Sequence, residues 1–188
     1  MNVSVYWKFQ NAISDADIDR IMQLGEGDWE PATTFTGGLD TKDVRKTDII
    51  WNNEQWLYDL FWPMMVTANQ SANWNLSVDA AESFQLGRYE DGGHYDFHMD
   101  ADGLTPGNFP GNEFMHGKAR KISMVCWLND DFEGGEFEFH DAVLLDNVIK
   151  PTRGTVVFFP AWFLHKVHPV TSGTRYSLVT WFNGLPVT

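Results

Sequence analysis

The sequence predicts an α+β domain that is mainly β, a sandwich or jelly roll, with its helices in the N-terminal part. Helical spacing of apolar residues is confined to the segment before residue 82. After that point, short runs rich in β-branched and aromatic residues alternate with clusters of Gly, Asn, Asp and Pro. Many short strands with such connections are typical of sandwiches and jelly rolls. We therefore expect one domain over residues 1–188, with a helical part at 1–81 and a β core at 82–188.

Two helices are predicted before residue 82. Ser14 has the features of an N-cap, apolar residues follow it at helical spacing, and Gly25 ends the run. The second helix is expected within residues 54–73, where apolar side chains recur every three or four positions. Pro63 falls inside this segment, so we expect the helix to be kinked or divided there.

Five segments after residue 82 have the character of strands. They are bounded by turn residues and cover 83–89, 122–128, 137–139, 155–159 and 176–182. The segment 101–119 contains several Gly and Pro residues and no strand pattern. Connections of this length without regular structure often act as lids or binding loops. A lid is expected here because the segment directly follows two candidate site residues, His98 and Asp100.

Charge and composition exclude several function classes. The formal net charge of -13 at pH 7 opposes contact with phosphate backbones, so we expect no nucleic-acid partner. The single cysteine, Cys126, permits no intrachain disulfide and is expected to be a buried packing residue. The sequence has neither a signal-peptide pattern at its start nor roughly eighteen consecutive apolar residues. We therefore expect a cytoplasmic protein without a membrane partner.

His98 and Asp100 are the first candidate metal ligands. Side chains alternate along a strand, so these two residues point to the same side. Two His and one carboxylate on one face of a metal ion leave positions open for other reactants. The third ligand is expected just after the apolar run 155–160, where His165 and His168 are both candidates. Spacing alone does not choose between them.

Arg175 is a candidate carboxylate-binding residue. It lies at the start of the last predicted strand, ten residues beyond His165. Its planar guanidinium can hold both oxygens of a carboxylate, and Ser177 on the same face can add a hydroxyl donor. Taken alone, an arginine at this position would more simply form an ordinary ion pair at the surface.

The same residues resemble a known family. The run from Tyr89 to Asp100 is similar to the Tyr-x-x-Gly-x-x-Tyr-x-x-His-x-Asp signature of prolyl 4-hydroxylase-like 2-oxoglutarate dioxygenases and matches it at five positions. Further segments that resemble the family are Leu128-Asn129, Gly134-Gly135-Glu136-Phe137, Phe158-Phe159-Pro160, His165-Lys166-Val167, Pro169-Val170, Gly173 and Arg175-Tyr176-Ser177. The resemblance covers roughly residues 83–183. It selects His165 over His168 as the third ligand.

The resemblance implies a double-stranded β-helix, the cupin-like jelly roll, with the N-terminal helices packed on one sheet. It also implies that His98, Asp100 and His165 hold Fe(II), that Arg175 anchors 2-oxoglutarate as cosubstrate, and that O2 binds at the same metal. No separate catalytic acid or base is required.

Six residues complete the predicted site, and the resemblance implies the roles of Tyr89, Trp127, Tyr95 and Trp181. Ser177 follows from its shared face with Arg175, and Arg45 is a candidate substrate contact for which a solvated basic residue is the simpler interpretation. Tyr89, Ser177 and Trp127 are expected to contact 2-oxoglutarate, and Tyr95, Trp181 and Arg45 to line the substrate pocket. Trp127 departs from relatives of the hypoxia-factor prolyl hydroxylase type, which have a tyrosine hydroxyl at this position. An indole N–H can only donate a hydrogen bond, whereas a tyrosine hydroxyl can both donate and accept.

The implied reaction hydroxylates a C–H bond and converts 2-oxoglutarate and O2 to succinate and CO2. Peptidyl proline is the leading substrate, with a free amino acid or another protein side chain as alternatives. A nucleic-acid dealkylating oxygenase would carry a second arginine shortly after Arg175, and none follows it. A zinc hydrolase would not need Arg175, and a non-catalytic jelly-roll binding module would need no metal ligands. Joint binding of Fe(II) and 2-oxoglutarate separates these possibilities.

Overall fold

A computed structural model describes residues 3–33, 41–109, 112–140 and 147–186. The helices are α1 (Asp15–Gln23), α2 (Thr41–Val44) and α3 (Gln55–Ser71), with a 3-10 turn at Glu113–Met115. The strands are β1 (Trp7–Phe9), β2 (Glu30–Pro31), β3 (Arg45–Lys46), β4 (Asp48–Asn52), β5 (Ala80–Ala81), β6 (Phe84–Tyr89), β7 (His94–His98), β8 (Ala119–Trp127), β9 (Glu133–Gly134), β10 (Phe137–Phe139), β11 (Val148–Ile149), β12 (Val156–Pro160), β13 (His165–Val167), β14 (Val170–Ser172) and β15 (Arg175–Gly184).

Most strands belong to two sheets. The larger sheet has the order β1-β12-β8-β15-β6-β4-β2, with β5 beside β15, and the smaller sheet has the order β11-β10-β13-β7-β3. A separate pair joins β14 and β9. Neighbouring strands run antiparallel. The architecture is therefore mainly β and agrees with the predicted jelly roll.

Strand β8 shows how the larger sheet separates two apolar clusters. Met124 and Cys126 belong to a cluster that also contains residues of α1 and α3. The intervening Val125 and the following Trp127 belong to a second cluster, shared with β10 and β13 of the smaller sheet. Alternation along the strand thus sends every second side chain to the space between the sheets. That inner space contains the candidate site.

The first predicted helix is confirmed. α1 begins after Ser14, whose hydroxyl oxygen accepts a hydrogen bond from the backbone N–H of Asp17 at 3.1 Å. The helix ends before Gly25, as the sequence indicates.

The second predicted helix is not divided at Pro63. α3 runs from Gln55 to Ser71 with Pro63 inside it. A proline removes the hydrogen bond to the carbonyl four residues earlier, which belongs to Asp59. Both Pro63 and Asp59 are exposed, so water can satisfy that carbonyl and the helix continues.

The five predicted strands are confirmed as β6, β8, β10, β12 and β15, with ends that differ by up to three residues. The description of residues 1–81 as helical is incomplete, because this part also contributes β1 to β5. β1 pairs with β12 at the edge of the larger sheet, and β4 pairs with β6. These strands are only two to five residues long, so they are too short to show a clear alternating pattern. Within the described residues, no helix has the length and apolar character needed to cross a membrane.

Candidate metal centre

Two paired strands bring the predicted metal ligands together. His98 ends β7, His165 begins β13, and the two residues are directly opposite each other in the antiparallel pair. One carboxylate oxygen of Asp100 is 3.6 Å from His98 Nε2, and the other is 3.7 Å from His165 Nε2. The potential ligand atoms of the three residues all lie within 4.8 Å of one another. The group could therefore hold one metal ion.

Both imidazole rings are fixed in the tautomer that a metal requires. Nδ1 of His98 is 2.8 Å from the carbonyl oxygen of Asp96, and Nδ1 of His165 is 2.8 Å from that of Phe163. A carbonyl oxygen can only accept, so each Nδ1 carries the hydrogen. Each Nε2 is left with its lone pair directed at the other ligands. Such bonds are the usual outer support of metal-binding histidines.

The carboxylate of Asp100 is supported from the larger sheet. The Ser123 hydroxyl donates to Oδ2 of Asp100 at 2.6 Å, and the backbone N–H of Asp100 donates to the carbonyl of Ala161 at 3.0 Å. Burial by itself would raise the pKa of Asp100, but His165, His98, Arg120 and the Ser123 hydrogen bond together outweigh it and lower that pKa. Burial, followed by the influence of His165, lowers the pKa of His98 to about 3. An ionised carboxylate and neutral imidazoles are the forms that bind metals.

The competing histidine lies elsewhere. His168 Nε2 is 2.6 Å from a carboxylate oxygen of Glu138, on the neighbouring strand β10. Among the described residues, the group of potential metal ligands contains His165 and not His168.

The ligand group opens into a cavity of about 230 Å³ between the sheets, hereafter the central cavity. Its lining includes nine of the ten predicted site residues: Arg45, Tyr89, Tyr95, His98, Asp100, His165, Arg175, Ser177 and Trp181. Trp127 is not among the lining residues. It is fully buried on the inner face, opposite Ser177 in the pairing of β8 with β15, and packs edge to face on Phe137.

Arg175 is a buried cation with an unused donor. Its side chain is on the inner face of β15, Nε donates to the carbonyl of Gly135 at 3.1 Å, and Nη1 donates to the Ser177 hydroxyl at 3.0 Å. Nη2 is buried and has no hydrogen-bond partner in the described part of the chain. Burial lowers the pKa of Arg175 to about 10, so the guanidinium remains charged at neutral pH. A buried, unpaired charge is costly, and a carboxylate in the central cavity would satisfy it.

Gly135 makes room for this guanidinium. Its φ is +66°, and a Cβ at this position would lie 2.9 Å from Cδ of Arg175. Any other residue would therefore displace the arginine or strain the turn. On the other side, the guanidinium carbon of Arg175 lies 4.9 Å above the ring of Tyr89, its partner in the pairing of β6 with β15.

The three residues predicted to line the substrate pocket lie on different strands. Tyr95 is on β7, Arg45 on β3 and Trp181 on β15. Burial raises the pKa of Tyr95 to about 12, so its hydroxyl is a neutral donor. Trp181 is 6% exposed, and its buried Nε1–H has no hydrogen-bond partner among the residues described. All three side chains line the central cavity.

Several lining residues were not predicted. Gln85, Arg120 and Trp51 line the central cavity, and Ser123 supports Asp100 from outside it. Arg120 forms two hydrogen bonds with the carboxylate of Glu82, both at 2.7 Å, and its guanidinium carbon lies 3.8 Å from the ring of Trp181. Strand alternation places Ser123 on the same face as Trp127, a signal that was available in the sequence. Arg120 has no comparable signal, because its partner is 38 residues away along the chain.

The predicted lid, 101–119, is described over 101–109 and 112–119, and its first part is held against the sheet. The buried Lys121 ammonium donates to the carbonyl of Gly103 at 2.7 Å, and Gly103 packs on the ring of Trp162. Residues 110 and 111 lie outside the described residues. The lid function of this segment remains a prediction.

The fold and site define a class of protein: a jelly roll that can hold a metal ion and a carboxylate in one cavity. A sequence profile described as the 2OG-Fe(II) oxygenase superfamily matches residues 84–183. The chain belongs to this superfamily. The match contains all three metal-binding candidates and Arg175, and the cofactors of the superfamily, Fe(II) and 2-oxoglutarate with O2 as oxidant, fit the donors that these residues offer.

Curated relatives are similar over the same region. The chain is 36% identical over 99 residues to a PKHD-type hydroxylase of Pseudomonas fluorescens, and 31% identical over 102 residues to one of Idiomarina loihiensis. These alignments cover 52% and 53% of the chain but only 41% of either relative. The chain thus matches less than half the length of these curated relatives.

Solved structures share the fold across almost the whole chain. A viral collagen prolyl hydroxylase of Paramecium bursaria Chlorella virus-1, in complex with 2-oxoglutarate, superposes with a TM-score of 0.69 at 21% identity and covers 97% of both chains. A prolyl-4-hydroxylase of Pseudomonas putida gives a TM-score of 0.70 at 18% identity, covering 95% of this chain and 91% of the other. At this level of identity the likeness shows the jelly-roll fold.

Proposed function

We propose that this protein is an Fe(II)- and 2-oxoglutarate-dependent dioxygenase that hydroxylates a C–H bond, with peptidyl proline as the leading substrate. Bound Fe(II), 2-oxoglutarate and O2 would supply the oxidant, with succinate and CO2 as the other products. The observation that carries the proposal is that one cavity contains both a group of potential metal ligands and a buried cation for a carboxylate. These are the ligand group of His98, Asp100 and His165, and the buried cation of Arg175 with its free donor.

The residues of the chain would bind and orient the reactants. His98, Asp100 and His165 would hold the iron on one face and leave the opposite face open to the central cavity. Arg175, through its free Nη2, and Ser177 would anchor the distal carboxylate of 2-oxoglutarate, with Tyr89 packed against the guanidinium. Trp127 has a buried Nε1–H without a partner in the described structure, beside Ser177 in register, and could add a donor there. The apolar walls would keep bulk water away from the metal.

The charges of the central cavity favour a peptide over a free amino acid. Of the described lining residues, Asp100 is the only carboxylate, whereas Arg45, Arg120 and Arg175 are cations. Asp100 is committed to the metal group, so the ammonium of a free amino acid would find no anionic partner. A peptide replaces that ammonium with an amide, and its carbonyl oxygens can accept from the free donors Arg45 Nε and Trp181 Nε1.

The shape of the surface also supports an extended substrate. A recess of about 470 Å³ shares Thr33 and Arg45 with the central cavity, and another of about 560 Å³ shares Asp100 and Arg120. The central cavity thus adjoins two recesses, and each shares wall residues with it. Relatives of the same fold include a prolyl hydroxylase of Trichoplax adhaerens in complex with a peptide fragment, at a TM-score of 0.67. An extended chain could lie across the site in the same general manner here.

We further propose that residues 1–188 act as one domain, in which the N-terminal helices pack on the outer face of the larger sheet and stabilise it. The apolar cluster shared by α1, α3 and the outer face of that sheet supports this arrangement. Its role would be to keep β15, which carries Arg175, at a fixed distance from the metal ligands.

The experiment uses a synthetic proline-containing peptide, its alanine counterpart and free proline. Each is incubated with the protein, Fe(II), 2-oxoglutarate and O2, and both succinate formation and gain of one oxygen atom are measured by mass spectrometry. We expect coupled product formation with the proline peptide alone, and none with Asp100→Ala. Oxygen gain on free proline would instead establish the amino-acid alternative. Absence of Fe(II) and 2-oxoglutarate binding altogether would favour a non-catalytic jelly roll.

A further inference from the structure

An irregularity in β7 places Tyr95 beside the metal ligand His98. In a regular strand, residues three apart point to opposite faces. The pairing of β7 with β13 shifts register here: His98 is opposite His165 and Tyr95 is opposite Val167, so that two residues of β7 face Lys166 alone. Such a bulge redirects side chains and is common next to active sites. As a result, Tyr95 and His98 both line the central cavity.

Tyr95 lies flat against the imidazole of His98. The ring centroids are 3.4 Å apart and the ring planes differ by 12°. The guanidinium carbon of Arg45 lies 4.7 Å from the centroid of the same tyrosine ring. Since His98 covers one face of the tyrosine, Arg45 occupies the other. The phenol is therefore held between a cation and a metal ligand.

Arg45 is in turn anchored to the opposite sheet. Its Nη2 donates to the side-chain carbonyl of Gln85 at 2.6 Å. Arg45 belongs to β3 of the smaller sheet, and Gln85 belongs to β6 of the larger sheet. Gln85 is 5% exposed, so this bond is shielded from water. The contacts from Gln85 through Arg45 and Tyr95 to His98 thus cross the central cavity from one sheet to the other.

We propose that Gln85, Arg45 and Tyr95 form a brace that fixes the plane of the His98 imidazole and links the substrate side of the cavity to the metal. The proposal rests on the proposed function, because it takes His98 as a metal ligand. The hydrogen bond from Nδ1 of His98 to the carbonyl of Asp96 holds one ring atom but leaves rotation about that direction open. The stacked phenol removes this freedom, so that Nε2 is directed at the metal before it binds.

Arg45 gives the brace its connection to the substrate. It lines both the central cavity and the recess of about 470 Å³. Its Nε is buried and has no hydrogen-bond partner in the described residues. A substrate carbonyl that accepts from Nε would hold Arg45 more firmly on Tyr95. Substrate binding would then tighten the orientation of a metal ligand that it does not touch.

The test measures metal binding without substrate. Purified protein is titrated anaerobically with Fe(II) in the presence of 2-oxoglutarate, and the dissociation constant and the visible charge-transfer band of the chelate are recorded. We expect Tyr95→Leu to weaken Fe(II) binding roughly tenfold and to broaden the band, whereas Tyr95→Phe keeps both because the ring remains. Tyr58→Leu is the matched control, since Tyr58 stacks edge to face on Phe84 at 5.0 Å on the helix side of the larger sheet. It should lower the melting temperature and leave Fe(II) affinity unchanged.

The Gln85→Met variant distinguishes two explanations for a change in Fe(II) affinity: orientation of His98 by the brace, and the positive charge of Arg45 near the metal. It removes the anchor of Arg45 and leaves every charge in place, and we expect Fe(II) binding about threefold to tenfold weaker. If only the charge of Arg45 mattered, Gln85→Met would bind like wild type and Arg45→Met would bind Fe(II) more tightly, which would overturn the proposal. If wild type itself formed no chelate, the proposed function would fail instead. Wild-type affinity in folded Tyr95→Leu would also refute the brace.

Discussion

Arg175 and Ser177 lie two residues apart on one face of β15, and Nη1 of the arginine donates to the serine hydroxyl at 3.0 Å. Nε is occupied by the carbonyl of Gly135, so Nη2 is the donor left for a ligand in the central cavity. Hydrogen bonds to the protein offset part of the cost of burying this cation, and a ligand carboxylate at Nη2 would offset more. This arrangement also defines which changes should affect the cosubstrate and which should affect only the metal.

Arg175→Met should abolish tight binding of 2-oxoglutarate and retain binding of the metal. Loss of a charge-assisted contact to the distal carboxylate should weaken 2-oxoglutarate binding by roughly tenfold to a hundredfold. Fe(II) or Mn(II) affinity should change little, because no metal ligand is touched. Calorimetric titration with each ligand measures both. Equal losses of metal and 2-oxoglutarate affinity would contradict the separate roles of the two features.

Gly135→Ala should weaken the contact between Arg175 and 2-oxoglutarate indirectly, by displacing the arginine side chain. The added Cβ would lie 2.9 Å from Cδ of Arg175 and must push the side chain away. We expect weaker binding of 2-oxoglutarate with unchanged metal affinity. Gly117→Ala is the control, since Gly117 also has a positive φ, +77°, but a Cβ there would meet nothing within 4 Å. Both variants carry backbone strain, so only a difference between them reports on Arg175.

Ser123→Ala should weaken metal binding selectively. It removes the 2.6 Å hydrogen bond to Oδ2 of Asp100, and loss of such outer support typically costs about tenfold to a hundredfold in metal affinity. Binding of Mn(II), followed by electron paramagnetic resonance, gives the dissociation constant without turnover. Ser172→Ala, at an exposed position of β14, serves as the control. Wild-type affinity in Ser123→Ala would show that Asp100 is oriented by other contacts.

Phe61→Ala should destabilise the fold without a direct effect on the site. Phe61 is fully buried in α3 and stacks on Phe84 of the larger sheet at 5.7 Å. Truncation of a buried phenylalanine typically costs about 3–5 kcal/mol. Chemical denaturation should show this loss in the free energy of unfolding. At temperatures where the variant is folded, its 2-oxoglutarate affinity should match wild type.

Strand alternation predicted that each of two residue pairs shares a face, although Asp100 lies two residues beyond the end of β7. His98 and Asp100 fall two residues apart, as do Arg175 and Ser177, and both pairs project into the same cavity. The choice of His165 over His168 was not available from spacing. It came from the family resemblance, and the structure places His168 against Glu138 instead.

Features that depend on pairing between distant strands could not be predicted. Tyr95 reaches the face of His98 only because the register shifts between β7 and β13, and a one-residue shift leaves no local signal in the sequence. The short strands before residue 82 were missed for a related reason. β1 and β4 are only three and five residues long, and their pairing with β12 and β6 involves residues far away along the chain.

Anaerobic titration of wild type with Fe(II) and 2-oxoglutarate, with the visible charge-transfer band as readout, tests the central claim most directly. We expect the band to form in wild type, to be lost in His165→Ala and to persist in His168→Ala. A wild-type protein that binds Fe(II) but forms no chelate would contradict the 2-oxoglutarate assignment. Loss of the band in His168→Ala with retention in His165→Ala would contradict the proposed metal ligands.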